Sequence, residues 1–166
     1  MAVTAKTPKA YNKRPDLVLY VNGIAMGVVE LKKSTVDLGA GIRQTLDNQR
    51  PEFIRHFFTT VQITFAGNDM QGLRYAAIQT PQPYWLAWKE ESAITQPLER
   101  DVAQMLAPAR FLELINDFIL FDAGIKKVAS PQHGPDWVAR EQNEGADAAA
   151  KAAGDPRYGG RRARHH

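Results

Sequence analysis

The chain has 166 residues, 44% hydrophobic and 23% charged, a mixture that suits one globular domain of ordinary size and excludes a fibrous or wholly disordered chain. It contains no cysteine, which excludes disulfides and thiolate metal sites, and neither a signal peptide nor an apolar run long enough for a bilayer is visible, so a cytoplasmic location without membrane contact is expected. The net charge of +3 is uneven: residues 1–125 hold 13 Lys and Arg against 13 Asp and Glu, and residues 126–166 hold 8 against 5, so overall basicity says little about nucleic acid.

Residues 1–13 lack periodicity and read as a flexible lead-in. Lys6, Lys9, Lys13 and Arg14 make a basic arm there, which a solvated terminus also explains. Asp16 to Val21 is rich in β-branched and aromatic residues, Asn22-Gly23 supplies a turn, and Gly27 to Leu31 resumes the apolar run, which together predict a β-hairpin. Leu38, Ile42, Leu46 and Gln49 recur at helical spacing until Arg50-Pro51, so a helix is expected to pack on that hairpin.

Val61 to Phe65 alternates as a half-buried strand does. A turn through Gly67-Asn68-Asp69 and Gly72 leads into Leu73–Gln79 as a second hairpin. Trp85 and Trp88 read as packing anchors. Pro97 opens a helix with Leu98, Val102, Met105 and Leu106 on one face. Pro108 starts another, whose stripe of Phe111, Leu112, Ile115, Phe118 and Ile119 needs a partner surface. Past Gly124 the Pro, Gly, Ala and Arg content predicts a mostly disordered tail, with at most a short helix over Ala146–Ala153.

Three ionisable residues interrupt the first hairpin. Glu30 and Lys32, two apart on a strand, share a face, and the antiparallel return brings Asp16 near them. Phosphodiester hydrolysis needs oxygen ligands for a hard cation, a water acidified by it, and positive charge beside the developing pentavalent phosphate. Asp16 and Glu30, with the backbone carbonyl of Leu31, would hold Mg2+; Lys32 would position or deprotonate the attacking water, or stabilise the transition state. Solvated charges on an amphipathic strand explain Glu30 and Lys32 equally well from spacing alone.

Register separates these readings. A simple two-residue loop at Asn22-Gly23 would pair Val21 with Ile24, set Asp16 opposite Val29 and turn Glu30 to the other side of the sheet. The hydrolytic reading therefore requires an odd-numbered loop, such as three residues over 22–24, or a bulge.

The strings Arg14-Pro15-Asp16 through Asn22-Gly23 and Val28-Val29-Glu30-Leu31-Lys32-Lys33 resemble the PD-(D/E)xK nuclease motif of type I restriction enzyme R subunits. The resemblance implies an α/β restriction-endonuclease-like mixed sheet flanked by helices and followed by a short helical linker. It implies Mg2+-dependent cleavage of double-stranded DNA, with the methylation and specificity subunits as partners. Gln44 matches the glutamine of a supporting QxxxY motif, with Asn48 where the tyrosine stands. The likeness continues through Ala66–Tyr75, Tyr84–Lys89 and Arg110–Phe121 and spans residues 11–129.

The expected organisation is a lead-in over 1–13, a nuclease core over 14–95, a helical linker over 96–125 and a tail over 126–166. Only 15 residues precede Asp16, so the first layer of the fold is expected to be missing or reduced. The tail reads as a shifted or interrupted frame. No Walker-type string occurs, so no ATP site is expected. His56, His133, His165 and His166 show no metal-ligand spacing, and no Ser/His/Asp or Cys/His arrangement stands out. The competing reading is a catalytically silent remnant or interaction module, its apolar stripe over 111–119 exposed for a companion.

Overall fold

The computed structural model describes residues 12–129. The expected tail beyond Ala129, including the helix over Ala146–Ala153, lies outside the described residues, as do Lys6 and Lys9 of the basic arm.

Strands β1 (Leu17–Val21) and β2 (Ile24–Leu31) form an antiparallel hairpin. Its loop is Asn22-Gly23, with φ of 49° and 79°, the paired positive dihedrals of a type I′ turn, whose twist matches the flanking strands. The loop is therefore the two-residue kind, not the three-residue example, and Val21 does pair with Ile24. The register then shifts. Tyr20 pairs with Ala25 but Leu19 pairs with Gly27, which leaves Met26 as an extra residue on β2. This bulge carries Leu17 opposite Val29, and one further step sets Asp16 opposite Glu30.

Helix α1 (Leu38–Asn48) follows, and the chain returns through a 3-10 turn at Arg55–Thr59 to β3 (Ile63–Asn68), which lies parallel to β2. Strands β4 (Gly72–Ala77) and β5 (Leu86–Ala87) add antiparallel neighbours, giving a mixed five-stranded sheet in the order β1-β2-β3-β4-β5. Leu38 and Ile42 of α1 pack on Ala66, Ala76 and Trp85, while Ile54, Phe58 and Val61 pack with Val28 and Val18. These sheet residues share the pleat face of Glu30, because Glu30 pairs with Ala66 and Val28 with Thr64.

The opposite face carries helices α2 (Pro97–Met105) and α3 (Pro108–Asp117). Phe111 lies 6.4 Å from Phe65, ring to ring, and Trp88 stacks obliquely between Tyr75 at 6.0 Å and Phe118 at 6.2 Å. A β-carbon at Gly27 would come 2.9 Å from Phe111 Cζ, so the bare backbone beside the bulge is what lets that ring seat.

Two expectations change here. The stripe on α3 is not left uncovered: Phe111, Leu114 and Phe118 are buried against the sheet of the same chain, while Leu112 turns to solvent. On α2 the buried residues are Asp101 and Met105, and Val102 is exposed, because the Asp101 carboxylate accepts the Leu73 amide at 2.8 Å and draws that side inward. Structure also runs past residue 125. Strands β6 (Ile119–Asp122) and β7 (Ile125–Val128) pair across an Ala123-Gly124 turn, and the Tyr75 hydroxyl donates to the Ala129 carbonyl at 3.1 Å.

Candidate active site

Asp16 stands immediately before β1, and its Oδ2 accepts the Leu31 amide at 2.8 Å. A strand residue points its N–H and C=O towards the same neighbour, so the Leu31 carbonyl faces the β1 side as its amide does. Glu30 is 1% exposed, and its Oε1 receives the Lys32 ammonium at 2.7 Å. The same ammonium donates to Gln44 Oε1 at 2.7 Å. Two of its three protons are thus engaged by an acid and an amide on different elements.

Glu30 Oε2 has no hydrogen-bond partner among the described residues although it is buried. Burial pushes the Glu30 carboxyl above the ordinary carboxylate range, and the negative charge of Asp16 pushes the same way; the hydrogen bond and charge of Lys32 oppose them. Two carboxylates and one ammonium therefore converge on a single face at the end of β2. The pair remains short of positive charge, because Lys32 covers only one oxygen of Glu30.

Helix α1 delivers Gln44 because its N-terminus is tied to the turn after β3. Gln71 Oε1 accepts the Leu38 amide at 3.0 Å, and the buried Asn68 side chain holds Gln71 by two bonds and the Val36 carbonyl by a third. Lys32 is fixed from the main chain too, its amide donating to the Gly67 carbonyl at 2.8 Å. The sequence places Asn68 in a turn without marking its role and does not mark Gln71 at all. Their type suggests only a polar turn, and it is the parallel pairing of β2 and β3 that brings this turn beside the start of α1.

Other candidates lie apart from this arrangement. Asn48 is buried in α1 with its Oδ1 unpaired among the described residues. Lys13 sits over the Phe53 ring at 4.1 Å, and Arg14 is exposed. Among the described residues no group of three or more His, Cys, Asp and Glu is placed to hold a metal. No described helix is long and apolar enough to cross a membrane.

A mixed five-stranded sheet with helices on its faces and a carboxylate pair at the end of a bulged hairpin is compatible with the restriction-endonuclease-like class of α/β folds. Residues 2–83 match the family model of the type I restriction enzyme R protein N terminus, a span that includes Asp16, Glu30, Lys32 and Gln44. No curated protein matches the chain.

Proposed function

We propose that this chain is the Mg2+-dependent endonuclease module of a type I restriction-modification system and hydrolyses phosphodiester bonds of double-stranded DNA. The observation that carries this reading is the unpartnered Glu30 Oε2, buried beside a second carboxylate. A buried acceptor left unsatisfied costs about 1–3 kcal/mol, more when charged, and a cation held between the two acids would remove that cost. Oxygen donors alone, in this number, suit Mg2+ better than a softer metal.

Asp16, Glu30 and the Leu31 carbonyl would hold the ion. When bound, Mg2+ supplies Lewis acidity and an acidified water at the scissile phosphate. Asp16 is exposed and gives solvent and substrate access to the pair. Lys32 keeps a proton free to meet a phosphate oxygen or the attacking water, with its position set by Glu30 and Gln44. Gln44 has no charge to contribute; its part is to orient the ammonium.

Base-specific recognition is assigned to partners, the methylation and specificity subunits of a cytoplasmic complex, because nothing in the chain resembles a base-reading helix or finger. The silent-module reading loses the support of an exposed apolar stripe, since Phe111, Leu114 and Phe118 are covered within the chain. Plasmid cleavage with Mg2+ against chelator, for wild type, Asp16→Ala and Lys32→Ala, tests the proposal. Both substitutions should lower the rate by at least ~10²-fold. Cleavage that survives both would overturn it.

A further inference from the structure

We propose that Gly41 is a positioning residue for Lys32, its missing side chain leaving the passage through which the lysine reaches Glu30 and Gln44 together; this rests on the nuclease reading above. Gly41 lies inside α1 and is buried. No left-handed dihedral requires glycine there, since its φ is not among the positive values of the chain. Glycine in a helix interior is disfavoured relative to alanine, so its presence needs a cause in packing or function.

The surroundings supply one. A β-carbon on Gly41 would lie 3.3 Å from Lys32 Cγ, 3.4 Å from Ala66 Cβ and 3.8 Å from Lys32 Cε. Two of these three neighbours belong to the lysine stem, which therefore runs directly beneath the bare turn of helix. Ala66 cannot yield, as it is fully buried on β3, a strand paired on both sides. The helix cannot lift freely either, because Leu38 and Ile42 are packed on Ala66, Ala76 and Trp85 and the Leu38 amide is tied to Gln71. The lysine stem is the flexible party, so it absorbs the added methyl. Its ammonium, held by Glu30 Oε1 and Gln44 Oε1 at 2.7 Å each, then loses alignment with one or both. Displacements well under the size of an atom suffice to slow a positioned reaction.

The proposal sets helix propensity and activity in opposition, which makes it testable. Gly41→Ala and Gly41→Val are compared with wild type in three measurements: thermal unfolding, kcat and KM for Mg2+-dependent plasmid cleavage, and hydrogen exchange of the Lys32 ammonium by 15N NMR on metal-free protein. Expected for Gly41→Ala are a Tm equal to or above wild type, a kcat lowered about 10-fold with KM little changed, and faster ammonium exchange. Gly41→Val should lower kcat about 100-fold or more. Wild-type kcat and exchange in Gly41→Ala would overturn the proposal, as would a fall in Tm that tracks the fall in cleavage, which would assign Gly41 to packing alone. If wild type itself does not cleave, the nuclease reading fails, and the ammonium exchange still judges Gly41 separately.

Discussion

The Leu31 amide donates to Asp16 Oδ2 at 2.8 Å, and this single bond clamps the start of the first strand to the end of the second. Because an amide oxygen accepts as well as a carboxylate oxygen, Asp16→Asn should keep the clamp and stay within ~0.5 kcal/mol of wild-type stability, whereas Asp16→Ala should lose about 1 kcal/mol. Chemical denaturation of the three proteins checks the order. Divalent-cation binding should fail in both variants, since neither retains the charge.

Met26 has no partner on β1, and leaving it unpaired is what sets Asp16 opposite Glu30 and not Val29. Deleting Met26 should remove the bulge and leave this pairing intact, because Gly27 then follows Ala25 and keeps Leu19 as its partner, with Asp16 still opposite Glu30. The expected outcome is a folded protein, by circular dichroism, that still binds Mn2+. Loss of metal binding in a folded deletion variant would show that the local twist of the bulge, and not register, assembles the pair.

Much of this was readable in the residues, and the limits are physical. Period-two and helical spacing placed both hairpins, α1 and the two proline-initiated helices, because burial enforces those periods along the chain. The bulge was legible only as a condition: Asn22-Gly23 specifies a tight turn, but no local signal marks Met26 as the residue left over. The buried sides of α2 and α3 were misjudged for a related reason. Hydrophobicity favoured Val102 and Leu112, while the fold buries Asp101 through its bond to Leu73 and turns Leu114 inward under the sheet. Asp101, a charged residue in an exposed-looking helix, offers no sign in sequence that a strand amide awaits it.

The elevated proton affinity of Glu30 gives a pH dependence. Burial and the Asp16 charge raise its carboxyl above the ordinary range in the folded chain. The native state therefore holds this proton more tightly than the unfolded state. The associated stability is fully present below the ordinary carboxylate pKa and is lost as pH rises through the raised value. Glu30→Gln should accordingly have a higher Tm than wild type in metal-free buffer near neutrality, with the gap closing on acidification to about pH 4. A Tm difference independent of pH would contradict this assignment. In wild type, divalent-cation affinity should rise with pH across the same window, because proton and cation compete for the same oxygens.

Asp101 and Gly72 form a second structural dependence remote from the site. Asp101 is 1% exposed, accepts the Leu73 amide and is paired with Arg100 at 2.8 Å. Gly72 has φ of 70°, and a β-carbon there would overlap the Asp101 carboxylate. Asp101→Ala strips a buried amide of its acceptor and should cost about 1–3 kcal/mol. Gly72→Ala should be destabilising through both strain and overlap. Denaturant midpoints measure both effects, and the double variant should fall short of their sum, since the overlap vanishes once the carboxylate is gone.

Tyr75 links the main sheet to the end of the β6–β7 hairpin. Its hydroxyl is buried against the Ala129 carbonyl, and burial raises its pKa well above the ordinary tyrosine value. Tyr75→Phe should lose about 0.5–1.5 kcal/mol. Amide exchange should speed up at Ala129, whose N–H bonds to the Phe118 carbonyl, and remain unchanged in α1.

A crystal of the wild-type chain soaked in Mn2+ and measured at the manganese absorption edge decides whether the two carboxylates share one ion. Anomalous density is expected between the Asp16 and Glu30 carboxylates and the Leu31 carbonyl, with Lys32 beside it, and no such density in Asp16→Asn. An ordered chain with those oxygens vacant at saturating Mn2+, or with the ion bound elsewhere, would contradict this expectation.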